Sequence, residues 1–413
     1  MKLALNGGVP VREKMFPAWP IWGIEEEKGL IDVLQSGRWG SIKGDVVAQF
    51  ESEFAGYQDA KYGIAVSSGT TGLEVALRSA GIAAGDEVIV PAYTFIASAT
   101  AVLNNAAIPV FVDIDPGTYN LNEKLIEEKI TSRTKAIMPV HFGGRPANMH
   151  AICEIAERHN LRVIEDAAQA WGAKVQGKGA GALGDAGCFS FQASKNINAG
   201  EGGIILTDDP AIAELAESYV NCGRKKDGLW YAHYRIGSNL RMTEFQGALL
   251  RAQMSRYGAQ LNLRREAMDA LDKGLAEIPA IDILRPLSGA SHACHIYIAR
   301  YLSDHFAGIP RDVFINALRA EGIPCSPGYS LPLYEQPLFL DENYGPFQDI
   351  VAGRVDYHEM KLPETHAACY SEALWFTQNT LLEGRDGAAS IIAAVEKIVD
   401  NRDELAVAPE VRA

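Results

Sequence analysis

Between residues 62 and about 208 the chain repeats one pattern: a short, unbroken apolar run, an amphipathic stretch, then another run. The runs fall at 62–66, 87–91, 109–112, 135–140, 162–165, 187–191 and 203–206 and are rich in Val and Ile. A strand that alternates apolar and polar residues buries one face. A strand that is apolar throughout needs cover on both faces, which is the condition of a parallel sheet enclosed by helices. Stretches at 72–80, 97–104, 122–130 and 148–159 read as covering helices, joined to the strands by right-handed crossovers. The fold class expected is therefore α/β, with a mostly parallel seven-stranded sheet. No clear helix separates the last two runs, so that part of the sheet is expected to be antiparallel or rearranged.

Beyond the sheet a long helix is expected from about 243 to 275, followed by a different mixture of elements at 293–301, 311–321 and 388–400. We read a large domain over 1–260, with an N-terminal arm at about 1–25, and a smaller C-terminal α+β domain over 261–413; 413 residues suffice for both. The Pro/Gly-rich segment 323–339 carries Tyr329 and Tyr334 and reads as a structured loop.

Composition narrows the function classes. The formal net charge is −14 and no run of Lys/Arg forms a basic patch, which argues against nucleic acid or an anionic membrane surface as partner. The six cysteines are scattered, with no C-x-x-C spacing, so neither a zinc site nor a disulfide framework is expected and a reducing compartment suits them. Residues 1–8 lack the apolar core of a signal peptide, and no stretch reaches the length that spans a bilayer. A soluble, cytoplasmic protein is the expectation.

Four local features converge on one phosphorylated, aromatic, aldehyde-bearing ligand. Ser67, Ser68, Gly69, Thr70, Thr71 and Gly72 lie between a strand and a helix, where free backbone N–H groups and the helix dipole suit a phosphate; a plain Ser/Thr N-cap is the other reading. Asp166 ends the run that begins at Leu161, at the carboxyl end of a strand where ligands of open α/β sheets bind. It either keeps a pyridine nitrogen protonated or caps a helix over 167–171. Lys195 follows a buried strand, amid small residues and ahead of Gly200, Gly202 and Gly203. Desolvation there favours the neutral amine that imine formation requires, whereas a lone lysine is more commonly a surface residue. Tyr93 and Phe95, just after the second strand, either stack on a ring or pack in the core. A fifth feature is a decoy: Gly179, Gly181 and Gly184 match G-x-G-x-x-G, but no apolar strand precedes them and no helix follows, so we read a loop and no dinucleotide.

With these residues in place, the sequence resembles the DegT/DnrJ/EryC1/StrS family of sugar and cyclitol aminotransferases, in its branch of scyllo-inosose aminotransferases and amino-hydroxybenzoate synthase. The resemblance rests on blocks at 66–72, 86–95, 137–141, 164–169, 189–203 and 237–244, and covers nearly the whole chain. It implies a fold-type-I transferase dependent on pyridoxal 5'-phosphate (PLP), acting as a homodimer with both active sites at the subunit interface. By the resemblance Lys195 is the Schiff-base lysine, Asp166 the pyridinium partner and Gln169 the residue near the cofactor's phenolic oxygen. Gly69, Thr70 and Ser190 match phosphate contacts, Phe95 the ring-stacking position, and Asn239 the asparagine that reaches the neighbouring subunit's cofactor phosphate. Members with His in place of the lysine deoxygenate sugars; Lys195 favours transamination here. The chain departs from relatives at 329–334, where Tyr329, Pro332 and Tyr334 replace a Tyr, Pro, His pattern, and at 375–379, where some relatives carry a His pair. Both segments approach the substrate in the family.

The activity expected is ping-pong transfer of an amino group from glutamine or glutamate to a keto-sugar or keto-cyclitol, with Lys195 moving the proton and Asp166 holding the ring nitrogen charged. The alternatives are a PLP-dependent dehydratase or aromatising synthase, and a PLP-fold regulator without catalysis.

Overall fold

The computed structural model describes residues 2–405. Along the chain come β1 (Tyr62–Val66), β2 (Glu87–Pro91), β3 (Ile108–Val112), β4 (Thr134–Ile137) and β5 (Arg162–Asp166). Then follow β6 (Lys174–Val175), β7 (Lys178–Gly179), β8 (Ala186–Ser190) and β9 (Gly203–Thr207). The remaining strands are β10 (Ile281–Ile283), β11 (Ala290–Ser291), β12 (Ile296–Tyr301) and β13 (Ala373–Thr377).

Seven of these build one sheet in the order β1-β9-β8-β5-β4-β2-β3. The step from β8 to β3 is parallel throughout, whereas β9 is antiparallel to both neighbours and lies between β8 and β1. The missing helix between the last two runs has this outcome: the chain turns back after β8 and needs no crossover. Every residue of β2, β3 and β9 is buried, as expected of strands with cover on both faces. The cover comes from helices α1 (Ile24–Ser36), α2 (Val46–Tyr57), α3 (Gly69–Ser79), α4 (Ala97–Leu103), α5 (Met149–His159), α6 (Pro210–Val220) and α7 (Glu244–Leu275). On one face Phe50 and Phe54 of α2 pack edge-on against Phe191, with ring centroids 5.3 and 5.4 Å apart. Fully burying such a side chain contributes roughly 1.5–3 kcal/mol.

Two helix starts are written locally. Thr243 accepts the N–H of Gln246 while the Gln246 side chain accepts the N–H of Thr243, a reciprocal cap for α7. Asp209 caps α6, whose first residue is Pro210. α7 runs unbroken through residue 260 and leads into a second, antiparallel sheet, β10-β12-β13. Helix α8 (Arg311–Ala320) and the last helix, Gly384–Asp400, pack around it. Strands β11, β6 and β7 make a small third sheet that the sequence pattern did not suggest.

Three expectations are corrected. Residues 122–130 form two single 3-10 turns, Glu123–Leu125 and Glu127–Lys129, because Asn122 accepts the Lys124 N–H and closes a tight turn. The run at 135–140 ends as a strand at Ile137, two residues before Pro139, which has no N–H to continue the ladder. Residues 167–171 are turns, so Asp166 caps no helix. Among the described residues no helix is long and apolar enough to cross a membrane.

Candidate active site

A cavity of about 680 Å³ opens at the carboxyl ends of β1, β5 and β8. It is lined by seven of the eight residues to which the resemblance gives a role: Gly69, Thr70, Phe95, Asp166, Gln169, Ser190 and Lys195.

β1 delivers the chain to the first turn of α3. Ser68 is the N-cap, accepting the Thr71 N–H at 3.2 Å, so the capping reading holds for that residue. Gly69 and Thr70 follow in the first turn, where backbone N–H groups have no helical acceptor, and both face the cavity. A Cβ on Gly69 would stand 2.8 Å from Ser190 Cβ, so only glycine lets this turn close on the end of β8. The result is a cradle of N–H and hydroxyl donors from two strand ends.

Asp166 is 6% exposed at the end of β5. Its Oδ2 accepts the Ser98 hydroxyl at 2.7 Å and its Oδ1 the Ala168 N–H at 3.1 Å, which fixes the carboxylate's plane. The residue before it is anchored more heavily. Glu165 is fully buried and accepts the N–H groups of Gly181, Leu183 and Gly184 and the His141 Nε2–H, each at 2.7 Å. The glycine motif that looked like a nucleotide loop thus wraps a carboxylate of its own chain.

Lys195 lies in the loop 191–202 between β8 and β9, and that loop is pinned along its length. Phe191 N–H donates to the Gly202 carbonyl at 2.8 Å, Ala193 N–H to Gly200 at 3.0 Å and Trp19 Nε1–H to Ala193 at 3.1 Å. Asn196 Nδ2 donates to the Ala293 carbonyl at 2.8 Å. Among the described residues no carboxylate pairs with the Lys195 amine. Burial pushes the amine down to about 8, while the charge of Asp166 pulls it partly back.

The two aromatics after β2 part company. Phe95 is 57% exposed and lines the cavity, whereas Tyr93 is 1% exposed and packs edge-on against Phe142 at 5.0 Å. Asn239, the eighth residue, is exposed and bridges to Asn221; it is not among the residues that line the cavity of its own chain, although the next residue, Leu240, accepts the Ser67 N–H at 2.8 Å. It follows the segment 229–236, where Leu229, Trp230, Tyr231 and Ile236 are all largely exposed.

The rest of the lining comes from residues distant in sequence, among them Trp19, His295, Tyr329, Trp375, Gln378 and Asn379. Of these, His295 and Trp19 carried no local signal as site residues. Asn196 Oδ1 faces His295 Nδ1 at 3.0 Å, so Nδ1 carries the proton and Nε2 a lone pair. Burial, with the charges of Lys195 and Arg264, holds His295 neutral, well below its ordinary range.

An amine free of acid partners, a fixed carboxylate and a donor cradle that a single Cβ would obstruct fit a phosphorylated pyridine aldehyde. The DegT/DnrJ/EryC1/StrS aminotransferase family matches residues 21–373. The L-glutamine:scyllo-inosose aminotransferase of Streptomyces griseus is 35% identical over 420 residues, 98% of this chain and 99% of its own. The crystal structure of 3-amino-5-hydroxybenzoic acid synthase superposes with a TM-score of 0.85 at 33% identity, covering 95% of this chain and all of that one. A Bacillus subtilis protein solved with bound cofactor PMP gives a TM-score of 0.79 at 27% identity, over 94% of this chain and 86% of its own. The chain belongs to the DegT/DnrJ/EryC1/StrS family and is a PLP-dependent aminotransferase of the α/β fold shared by those structures.

Proposed function

We propose that the enzyme moves an amino group from glutamine or glutamate to a keto-sugar or keto-cyclitol in two successive half-reactions, as a cytoplasmic homodimer. The observation that carries the reading is the Lys195 amine, unpaired and partly buried, in one cavity with Asp166. Bound there, PLP supplies an aldehyde carbon for imine exchange and a ring that accepts an electron pair.

In this reading the residues divide the work. Gly69, Thr70 and Ser190 hold the phosphate with N–H and hydroxyl donors. Asp166, its plane set by Ser98 and Ala168, holds a proton on the ring nitrogen through its charge. Gln169 sits beside the phenolic oxygen and Phe95 covers the ring. Lys195 Nζ, amine-basic near neutrality and free of a competing carboxylate, takes the α-proton of the donor and keeps it for return. The pinned loop limits how far that amine wanders, which favours proton return over loss to water. Tyr329 and Trp375, with ring centroids 4.9 Å apart, form an apolar wall behind the reacting region.

The dimer is part of the same proposal. Asn239 lies outside its own chain's cavity, on a segment with four large exposed apolar residues, as suits a residue that serves a partner's phosphate. A large domain to about residue 260 and a smaller one beyond it, with α7 as their shared spine, completes it.

The test is to prepare the enzyme in its pyridoxamine-phosphate form and offer keto-sugars, keto-cyclitols and keto-acids in turn. Return of the absorbance band of the Lys195-bound cofactor with a cyclic polyol ketone is the expected result, and Lys195→Ala abolishes it. Return only with keto-acids refutes the acceptor assignment. The likeness to the hydroxybenzoate synthase structure supports a second reading, loss of water from a ring substrate. Turnover that proceeds without any amino donor would select it.

A further inference from the structure

Behind Gln378, one of the residues that line the cavity, lies a cation with no anion. Arg264 of α7 is 0% exposed, and among the described residues it forms no ion pair with any carboxylate. Its Nε and Nη2 donate to the side-chain oxygen of Gln378 at 3.2 and 2.5 Å, Nε reaches the Gln378 carbonyl at 3.3 Å, and Nη1 has no partner. The Trp19 ring, 5.4 Å from the guanidinium carbon, completes its surroundings. An uncompensated charge in such a place is costly unless something supplies the counter-charge.

Gln378 faces the cavity and is 2% exposed. Both Arg264 contacts fall on its oxygen, so its orientation is fixed and its Nε2 is left as a donor with no partner among the described residues. The guanidinium polarises the amide and strengthens that donor. Its neighbours on the wall are already committed: Asn379 donates to the Pro17 carbonyl at 3.0 Å and accepts the Thr377 hydroxyl at 2.7 Å. Asp166 and Glu201 are the acids that line the cavity.

We infer that Gln378, oriented by Arg264, forms a carboxylate subsite on the wall that Trp19 flanks. Resting on the proposed transamination, it holds the α-carboxylate of the amino-acid donor; an acid group on the ring acceptor is the other source of the same chemistry. Gln378 would touch the ligand and Arg264 acts through it, as a positioning residue. The subsite supplies the counter-charge that the fold withholds from Arg264.

Gln378→Glu tests it, because the introduced carboxylate pairs with Arg264, preserves the fold and cancels the free positive potential. Glutarate titrated into the PLP holoenzyme and read by quenching of tryptophan fluorescence needs no turnover. It should bind at least about tenfold more weakly to the variant, with thermal stability kept or raised, while neutral glutaric diamide is unaffected. In single-turnover work the donor half-reaction should show its concentration dependence shifted about tenfold with a little-changed limiting rate. Amination of the acceptor from the pyridoxamine form, which uses the same cavity, should shift less than the donor half-reaction does; a loss confined to the acceptor half-reaction would instead assign the carboxylate to the acceptor. Glutarate and both half-reactions within twofold of wild type overturn the subsite, and an active wild type that binds no carboxylate does the same. A wild type that binds glutarate yet has no donor half-reaction overturns the transamination and leaves the subsite standing.

Discussion

Glu165→Gln replaces one oxygen by NH2, with almost no change of volume, at a site where every neighbour is a donor. Oε1 accepts from the N–H groups of Leu183 and Gly184, and Oε2 from Gly181 N–H and His141 Nε2–H. The imidazole cannot turn acceptor, because its Nδ1 already accepts the Ala147 N–H at 3.1 Å. Whichever way the amide is placed, its NH2 faces two donors, either the buried pair from Gly181 and His141 or the half-buried pair from Leu183 and Gly184, and leaves them unsatisfied. Each orphaned donor costs roughly 1–3 kcal/mol, so about 4 kcal/mol of stability should be lost. That is a large part of the roughly 5–15 kcal/mol that holds a typical domain. Urea unfolding of the cofactor-free proteins, followed by tryptophan fluorescence, measures it. The same variant should retain PLP less well, since Asp166 follows directly on the strand. A loss below about 1 kcal/mol would refute the claim that this glycine loop is organised around an anion.

Uptake of PLP by the cofactor-free protein should quicken as pH rises through about 8, where Lys195 sheds its proton; Asp166→Asn removes the opposing charge and should move the inflection lower. Rapid-mixing absorbance reads it, and an inflection near that of an ordinary lysine would refute the burial argument. Glu51 is pushed up to about 7, mainly by burial, although it accepts the Ala65 N–H at 2.7 Å. A raised folded-state value means that its contribution is present below the ordinary carboxylate range and lost as pH climbs through 7. Glu51→Gln should therefore be the more stable protein at pH 8 by about 1–2 kcal/mol and show no gain at pH 4, by urea midpoints. Gly69→Ala should weaken PLP about tenfold or more in equilibrium titration, because the new Cβ meets Ser190 at 2.8 Å; unchanged affinity would dissociate this turn from the phosphate.

Much of this was legible because it is local. The apolar runs announced β1 to β5, β8 and β9, and a strand end followed by Ser68, Gly69 and Thr70 announced a donor cradle. Lys195 could be read from the small residues and glycines around it. What escaped reading depended on distance. His295 and Trp19 are tied to the cavity by bonds to Asn196 and to the Ala193 carbonyl, in a loop remote from both in sequence. Glu165 looked like the tail of a strand, and its partners sit in a glycine loop whose motif suggests a nucleotide. Residues 122–130 have helical composition, yet one asparagine closing on Lys124 was enough to stop the helix. Tyr93 and Phe95 are two residues apart and equivalent in type; only the packing of Phe142 and Tyr329 decides which one turns inward.

The position of β9 bears on when the active site comes into being. Tyr62 pairs with Thr207 and Ser190 with Gly203, so the strand wedged between β1 and β8 is the last of the seven to leave the ribosome. Until it arrives, β1, which delivers the chain to the donor cradle, has no partner strand in the seven-stranded sheet, and closing so long a segment is slow and entropically costly. Chains that stop short of residue 207 therefore carry the cradle, Asp166 and Lys195 without a pocket that unites them. Cofactor capture becomes a report on completed synthesis of the sheet.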